Sequence, residues 1–259
     1  KAVGESVAEP IMYYRNNLVS FLNILEVAKN HGGCNVLFSS SATVYGEAEE
    51  LPVTEQTPRL PATSPYGNTK QMCEDILRDV VAATASSEGV VKGIALRYFN
   101  PIGAHPSALI GELPRGVPQN LVPFVTQTAA GIRECLSVFG NDYPTPDGSN
   151  IRDYIDVVDL ARAHLKAIER AEKVTGVEHF NVGTGVGYSV LDIVHAYEKA
   201  TGITINYKFV ARRPGDIAAC YADPTKAREV LGWTAENGIF EMCRDANNWQ
   251  SKNPNGYDE

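Results

Sequence analysis

The stretch Asn35-Val36-Leu37-Phe38-Ser39, followed by Ser40 and Ser41, predicts a buried strand that ends in three hydroxyl side chains. Its apolar centre is continuous rather than alternating, which is typical of a parallel sheet covered on both faces. Ligands of such sheets bind beyond the carboxyl ends of the strands. The serines therefore mark a candidate site, where a hydroxyl can bond a substrate alcohol and pass on its proton.

The elements around this strand alternate between helix and strand. Apolar residues recur at helical spacing from Pro10 to Asn30, and His31-Gly32-Gly33 ends that helix. A second helix is predicted over 66–83 and a second apolar strand over 92–98. This rhythm favours an α/β fold with a doubly wound parallel sheet.

After Asn100 prolines recur, and the predicted helices and strands become short. We place a domain boundary near residue 102, with a smaller mixed α/β domain over 103–259. The elements predicted there are helices over 121–131, 157–171 and 191–200 and strands over 179–183 and 203–209. Part of 151–183 is expected to return to the first sheet.

The composition excludes several classes of protein. The chain has 259 residues, of which 23 are basic and 31 acidic, so its net charge of -8 gives no support to nucleic-acid binding. Five scattered cysteines without a C-x-x-C resemble neither a disulfide framework nor a zinc site, and predict no metal. They fit a reducing compartment, hence a cytoplasmic protein without membrane spans.

Tyr66 and Lys70 form a Tyr-x-x-x-Lys pair, which places both side chains on one face of the second helix. Tyrosine has a pKa of about 10, and we expect the nearby ammonium to lower it toward the range of a general base. The spacing alone is common, and a surface lysine beside a half-buried tyrosine is the plainer interpretation. The preceding strand and serine cluster favour the acid/base interpretation.

Several longer sequence motifs follow one another along the whole chain. They are SSSATVYG at 39–46, SPYGNTK at 64–70, RYFNPIGAHPS at 97–107, FGNDYPTPDGSNIRDYIDVVDLA at 139–161 and RRPGD at 212–216. With these motifs the chain resembles the UDP-glucose 4-epimerase family of extended short-chain dehydrogenases/reductases. The resemblance implies the C-terminal half of a Rossmann-type NAD-binding domain over 1–102 and a UDP-sugar-binding domain over 103–259. It also implies reversible C4 epimerisation of UDP-glucose and UDP-galactose through a 4-keto intermediate.

The resemblance also implies roles for individual residues. Tyr66 is the base, Lys70 bonds the nicotinamide ribose, and Ser41 bonds the sugar 4-hydroxyl. The implied NAD contacts are Lys1, Asn16, Ser41, Tyr66, Lys70 and Phe99. The implied UDP-sugar contacts are Ser41, Thr43, Tyr66, Asn100, Asn120, Leu121, Phe139, Arg152, Arg213, Asp216 and Cys220.

Each of these positions also has a plainer interpretation. The two phenylalanines can belong to the core, Arg152 can pair with Asp153, and Arg213 can lie on a solvated face. The family often has an asparagine where Gln119 stands, so we do not assign that residue. A cysteine at 220, where some relatives have a large aromatic, leaves room for an N-acetyl group, so UDP-GlcNAc and UDP-GalNAc are further candidate substrates.

Two rival functions stay open. The first is a sugar-nucleotide dehydratase or decarboxylase, although dehydratases usually carry an acidic pair where Val44-Tyr45 follow Thr43. The second is a non-catalytic UDP-sugar-binding protein.

The resemblance further predicts that the N-terminal half of the nucleotide-binding sheet is missing. A glycine-rich phosphate loop, which brings backbone amides against a pyrophosphate, is not found near the start of the sequence. We therefore expect these residues to be part of a longer polypeptide. The helices over 10–30 and 65–83 carry broad apolar faces, and the resemblance implies that they pair in a homodimer; the plainer interpretation is that both faces cover the sheet.

Overall fold

The computed structural model describes residues 3–87, 89–114 and 116–257 in two compact units. The first unit takes the residues up to Phe99, together with 162–182 and 222–234. The second unit takes 100–161, 183–221 and the residues from 235 onward. The return of 222–234 to the first unit was not anticipated from the sequence.

Seven α-helices and nine strands make up the described residues. The helices are α1 (Val3–Ala8), α2 (Pro10–Asn30), α3 (Pro65–Thr84), α4 (Leu121–Ala129), α5 (Val157–Ala171), α6 (Val190–Thr201) and α7 (Ile239–Lys252). The strands are β1 (Cys34–Ser41), β2 (Val91–Tyr98), β3 (Asn100–Ile102), β4 (Leu136–Phe139), β5 (Ile151–Asp156), β6 (Val177–Val182), β7 (Gly187–Ser189), β8 (Tyr207–Val210) and β9 (Ala219–Cys220). A 3₁₀ helix covers Ala42–Tyr45 and a π-helix covers Ala227–Leu231.

The sheet of the first unit is parallel and has the order β1-β2-β6, which confirms the fold class. Ser41 pairs in register with Tyr98, and Tyr98 pairs with Val182. The carboxyl ends of all three strands are therefore level, and Ser41 and Tyr98 are neighbours at this edge.

Helices α2 and α3 attach to the sheet through one apolar cluster. Leu25 of α2, Phe38 of β1 and Leu77 of α3 are buried in it. Gly93 lets α3 approach β2, because a Cβ there would lie 2.9 Å from a Leu77 methyl carbon. Each buried leucine contributes about 1.5–3 kcal/mol, so the cluster stabilises the packing of both helices on the sheet.

The second unit is built around β5. Ile151–Asp153 pair with the antiparallel β7, Ile151 and Arg152 also pair with the parallel β9, and Tyr154–Asp156 pair with the parallel β3. A separate parallel pair is formed by β4 and β8. Helices α4, α6 and α7 contribute to the apolar clusters of this unit.

The predicted strand over 203–209 is wrong at its start, since β8 begins only at Tyr207. Side chains of α6 satisfy the preceding backbone instead. Ile203 N donates to Thr201 Oγ1 (3.2 Å) and Ile205 N donates to Glu198 Oε1 (2.9 Å). Both N–H groups are already bonded to side chains and so cannot donate to a strand ladder.

Within the described part of the chain, no helix combines the length and apolarity that crossing a bilayer requires.

His179, a half-buried histidine of the first sheet, makes folding pH-dependent. Burial lowers the pKa of His179 to about 4, although the carboxylate of Glu74 acts in the opposite direction. This folded-state pKa lies below the unfolded value, so neutral His179 contributes stability above about pH 6.5. That contribution is lost as the pH falls toward 4.

We expect the free energy of unfolding to fall by about 1–3 kcal/mol over this window. In His179→Gln this loss should be smaller, as measured by urea unfolding at pH 7 and pH 4.5. His31→Gln, at an exposed position, is the control and should keep the wild-type difference. An unchanged pH dependence in His179→Gln would contradict the assignment.

Candidate active site

The end of β1 is shaped by its own hydroxyl groups. Ser41 has extended backbone angles and caps the 3₁₀ helix, because its Oγ accepts a hydrogen bond from Thr43 N (3.3 Å). Thr43 Oγ1 is buried and has no hydrogen-bond partner among the described residues. A buried hydroxyl without a partner is costly, so this one is a candidate to bond a ligand.

The motif Ser64-Pro65-Tyr66-Gly67 builds the start of α3. Ser64 Oγ accepts from Gly67 N (3.2 Å) as the N-cap, and Pro65 occupies the first turn. A Cβ on Gly67 would lie 3.2 Å from the Thr43 Cβ, so the glycine allows α3 to approach the 3₁₀ helix closely. This approach sets Tyr66 beside the end of β1.

The structure brings the predicted acid/base residues together. The Ser41 hydroxyl lies beside the Tyr66 phenol and acts on its pKa. Lys70 Nζ donates to Ser39 O (2.8 Å) and lies 5.7 Å from the centroid of the Tyr66 ring. Three residues from β1 and α3 thus form one constellation at the carboxyl edge of the sheet.

The expectation that Lys70 lowers the Tyr66 pKa is wrong for this structure. Burial raises the pKa of Tyr66, and the hydrogen bond with Ser41 lowers it by a smaller amount. Burial likewise lowers the pKa of Lys70. The ammonium is directed at the Ser39 carbonyl rather than at the phenol oxygen, so desolvation decides both directions.

Two neighbouring groups were missed from the sequence. Tyr98 OH donates to Ser39 Oγ (2.7 Å) and is also hydrogen-bonded to His164 Nε2 (2.5 Å). Tyr98 directly precedes Phe99 in a quoted motif, which was the available signal. No sequence signal pointed to His164, because its contact with Tyr98 arises only when α5 packs beside the sheet.

The chemistry of these groups fits the ribose end of a nicotinamide cofactor. An ammonium has three donors, and the Lys70 ammonium uses one of them on Ser39 O. Phe99 is buried, whereas Asn16 is exposed and donates to Asn17 Oδ1 (3.3 Å). Lys1, the remaining predicted cofactor contact, lies outside the described residues.

In the second unit, Arg152, Arg213 and Asp216 form a group that we call the arginine cluster. Arg213 Nε donates to Asp216 Oδ2 (2.9 Å), and Arg152 Nη2 lies 3.7 Å from Asp216 Oδ1. The Arg213 guanidinium also lies 4.9 Å from the centroid of the Phe139 ring. Four predicted substrate contacts therefore converge, and paired guanidinium groups suit a diphosphate.

Asn120 and Leu121 are joined to this cluster through the turn that precedes α4. Arg213 Nη1 donates to the carbonyl of Gln119 (3.4 Å). Asn120 Nδ2 donates to Glu112 Oε1 (3.3 Å), and Leu121 packs on the core.

Cys220 and Asn100 lie on strands that pair with β5. Cys220 is buried and in register with Arg152, and burial raises the pKa of its thiol to about 11. Its neutral sulfur is thus a small apolar group beside the arginine cluster. Asn100 pairs with Tyr154 and is exposed at the start of β3.

Tyr143 is a further group that sequence reasoning missed, although it stands within the GNDYPTPDG motif. Its ring lies 4.0 Å from the Arg212 guanidinium, which itself pairs with Asp142. Its hydroxyl is buried and has no hydrogen-bond partner among the described residues. Burial and the Asp216 charge raise the pKa of Tyr143, against nearby arginines, so the phenol stays neutral beside the cluster.

The structure agrees with some of the plainer interpretations of these residues and not with others. Phe139 is 36% exposed, so it does not belong to the core, whereas Phe99 is buried. Asp153 accepts from Thr184 N (2.8 Å) and Gly185 N (2.9 Å), and so fixes the loop between β6 and β7. His, Cys, Asp and Glu side chains within the described ranges form no group of three that could hold a metal ion.

The chain is similar to one family model and to several curated and solved UDP-glucose 4-epimerases. A family model described as GDP-mannose 4,6 dehydratase matches residues 1–246. The UDP-glucose 4-epimerase of Bacillus subtilis is 56% identical over 257 residues, which are 99% of this chain and 74% of that protein.

Two solved structures are informative. UDP-glucose 4-epimerase from Bifidobacterium longum, in complex with NAD+ and UDP, is 54% identical with a TM-score of 0.95, covering 99% of this chain and 75% of that one. The UDP-Glc/GlcNAc 4-epimerase of Campylobacter jejuni is 35% identical with a TM-score of 0.77, covering 96% and 74%.

Proposed function

Because the chain belongs to the UDP-glucose 4-epimerase family, we propose that it catalyses reversible C4 epimerisation of UDP-glucose and UDP-galactose. The observation that carries this proposal is the constellation of Ser41, Tyr66 and Lys70 at the end of β1. NAD, when bound, supplies the hydride acceptor that makes a 4-keto sugar from a 4-hydroxyl sugar and reverses this step.

Tyr66 and Ser41 handle the proton of the sugar 4-hydroxyl. The phenolate of Tyr66 takes this proton, directly or through the neighbouring Ser41 hydroxyl. Burial opposes the phenolate, and Lys70 is directed at the Ser39 carbonyl instead, so the positive nicotinamide ring of NAD, when bound, would have to supply the compensating charge. The same phenol returns the proton when the 4-keto sugar is reduced.

The arginine cluster holds the UDP moiety. Arg152 and Arg213 both face Asp216 here, and binding requires them to exchange that carboxylate for diphosphate oxygens. Asp216 is then available to accept from a ribose hydroxyl, with Phe139, Asn120 and Leu121 on the uridine side. Because the clamp acts on UDP, the keto sugar stays free to turn and present its other face.

The experiment that tests this proposal uses the full-length protein with UDP-glucose. We expect UDP-galactose to form, and the reverse reaction to reach the same ratio of the two sugars. UDP binding without interconversion would favour the non-catalytic sugar-nucleotide-binding function. A 6-deoxy-4-keto product would favour a dehydratase.

We propose a wider substrate range on account of Cys220. Its small buried side chain, in register with Arg152, leaves the volume that a bulky residue would fill. We expect UDP-GlcNAc and UDP-GalNAc to be interconverted by the wild type.

The substitution Cys220→Tyr should lower turnover of the N-acetylated sugars by at least about tenfold, since steric overlap costs about 1–3 kcal/mol. UDP-glucose turnover should change by less than about threefold. Cys243→Ala, at another buried cysteine of the same unit, is the control and should leave the ratio of the two activities unchanged. Wild-type protein that fails to convert UDP-GlcNAc would refute the wider range.

We further propose that the protein is a cytoplasmic homodimer that pairs through α2 and α3. Several large apolar side chains of α2 are exposed, among them Ile11 (73%), Ile24 (58%) and Val27 (58%), and such a patch is typical of an interface. Light scattering after size exclusion should give twice the chain mass for the wild type. Ile24→Glu should shift it to the monomer, and a monomeric wild type would contradict the proposal.

A further inference from the structure

Glu74 and Arg97 form a buried ion pair in the first unit. Arg97 Nε donates to Glu74 Oε1 (2.9 Å) and Arg97 Nη2 donates to Glu74 Oε2 (2.7 Å). The two side chains are 1% and 5% exposed. A two-pronged pair of this kind fixes direction as well as distance between its partners.

The pair reaches each segment that carries an acid/base group. Ser40 Oγ donates to Glu74 Oε1 (2.6 Å), and Ser40 directly precedes Ser41 in β1. Glu74 itself follows Lys70 by one helical turn and Tyr66 by two, so all three lie along one side of α3. The relative position of β1 and α3 near Tyr66 is thus fixed through one carboxylate.

Arg97 extends the connection to the 3₁₀ helix. Its Nη1 donates to Tyr45 OH (3.0 Å), and Tyr45 OH donates to Asn181 Oδ1 (2.5 Å). Arg97 also directly precedes Tyr98, which is bonded to Ser39. The pair therefore joins α3 to β2, has direct hydrogen bonds to β1 and to the 3₁₀ helix, and reaches β6 through Tyr45.

Other charged groups face the same carboxylate. Arg59 Nη1 lies 3.5 Å and His179 Nε2 lies 3.6 Å from Glu74 Oε2. Burial alone would raise the pKa of Glu74, but hydrogen bonds from Arg97 and Ser40 hold it below its usual range. The carboxylate is therefore ionised and fully bonded at neutral pH.

A buried ion pair is weak grounds for a stabilising role. Its desolvation penalty offsets much of the attraction, and apolar replacements of similar volume are often neutral or stabilising. What apolar replacements cannot supply is the set of directional bonds to Ser40 and Tyr45. From this contrast we infer that the Glu74–Arg97 pair positions Ser41, Tyr66 and Lys70 for proton transfer, an inference that rests on the proposed epimerase function.

The double variant Glu74→Met/Arg97→Met tests this role. It removes every directional bond of the pair and keeps the volume, while Arg59 retains Asp75 as a partner at 2.6 Å. We expect a moderately lower Tm, because the buried Ser40 hydroxyl loses its acceptor. We expect kcat to fall by about 10- to 100-fold, because small misplacement of reacting groups is costly. KM for UDP-glucose should change by less than about threefold, since the UDP contacts belong to the other unit.

A second readout is the pH profile of kcat. The Ser41 bond lowers the pKa of Tyr66, so loss of that alignment should move the acid limb of the profile to higher pH. The matched control is Leu77→Ala, which removes a fully buried side chain from the next turn of α3. Leu77→Ala should lower Tm clearly and leave the pH profile and kcat near the wild-type values at 25 °C.

The inference would be overturned if the double variant kept both the kcat and the pH profile of the wild type. If the double variant does not fold, Ser40→Ala decides, because it removes a single hydroxyl. It should lower kcat at least about threefold with unchanged KM, and wild-type kcat in it would refute the role. A wild-type protein inactive on UDP-glucose would overturn the proposed function, and the inference with it.

Discussion

Tyr66→Phe should lower kcat for UDP-glucose epimerisation by about 10²- to 10⁴-fold, the contribution typical of a positioned general base. The substitution removes only the phenol oxygen, so the half-buried ring keeps its packing. UDP affinity should stay within about twofold, since the residues proposed to hold UDP belong to the second unit. Initial rates and UDP titration of the same preparations measure both quantities.

Tyr197→Phe is the matched control for this prediction. It also removes a buried phenol oxygen, one that donates to Asn247 Oδ1 (2.7 Å) in the second unit. It should lower Tm slightly and leave kcat within about twofold, because a single neutral hydrogen bond contributes about 1 kcal/mol to stability. Tyr66→Phe protein with more than a tenth of the wild-type kcat would remove Tyr66 from the mechanism.

Arg213→Met should weaken UDP binding by about 10- to 100-fold, since a hydrogen bond to a charged group contributes about 1.5–3 kcal/mol. Arg213 faces Asp216 and Phe139, and its guanidinium is the more exposed of the two in the arginine cluster. The effect should appear in KM and in the Kd for UDP, with a smaller change in kcat. Isothermal titration with UDP measures it directly.

Arg212→Met separates a specific contact from the general positive charge of the segment. Arg212 is adjacent in sequence, but it pairs with Asp142 and lies over the Tyr143 ring. UDP affinity should change by less than about threefold in this variant, since exposed ion pairs and screened charges contribute little. Equal losses in both variants would contradict the specific role of Arg213.

Local signals determined much of the fold. The limits of α2 follow from Pro10 at the start and the glycines after Asn30, and α5 spans the predicted residues 157–171. Continuous apolar runs correctly predicted the parallel pairing of β1 and β2. Helix α7 was missed, although Ile239, Met242 and Ala246 recur at helical spacing, because polar residues fill most of its other positions.

The sequence indicated that Tyr66 and Lys70 lie together, but it did not indicate the directions of their pKa shifts. The spacing of Tyr66 and Lys70 indicated a shared helix face, which the structure has. The directions of their pKa shifts depend on burial, which no spacing encodes, and so the expected effect of Lys70 was wrong. Tyr98 and His164 were missed because they are 66 positions apart and meet only through tertiary packing.

The most direct test of C4 epimerisation is proton NMR of UDP-glucose incubated with the full-length protein in D₂O. The proposed mechanism takes the hydroxyl proton to Tyr66 and returns the C4 hydrogen to the same carbon. UDP-galactose should therefore appear with its C4 hydrogen undiluted by deuterium. Formation of C4-deuterated UDP-galactose, or no UDP-galactose from protein that binds UDP, would contradict this account.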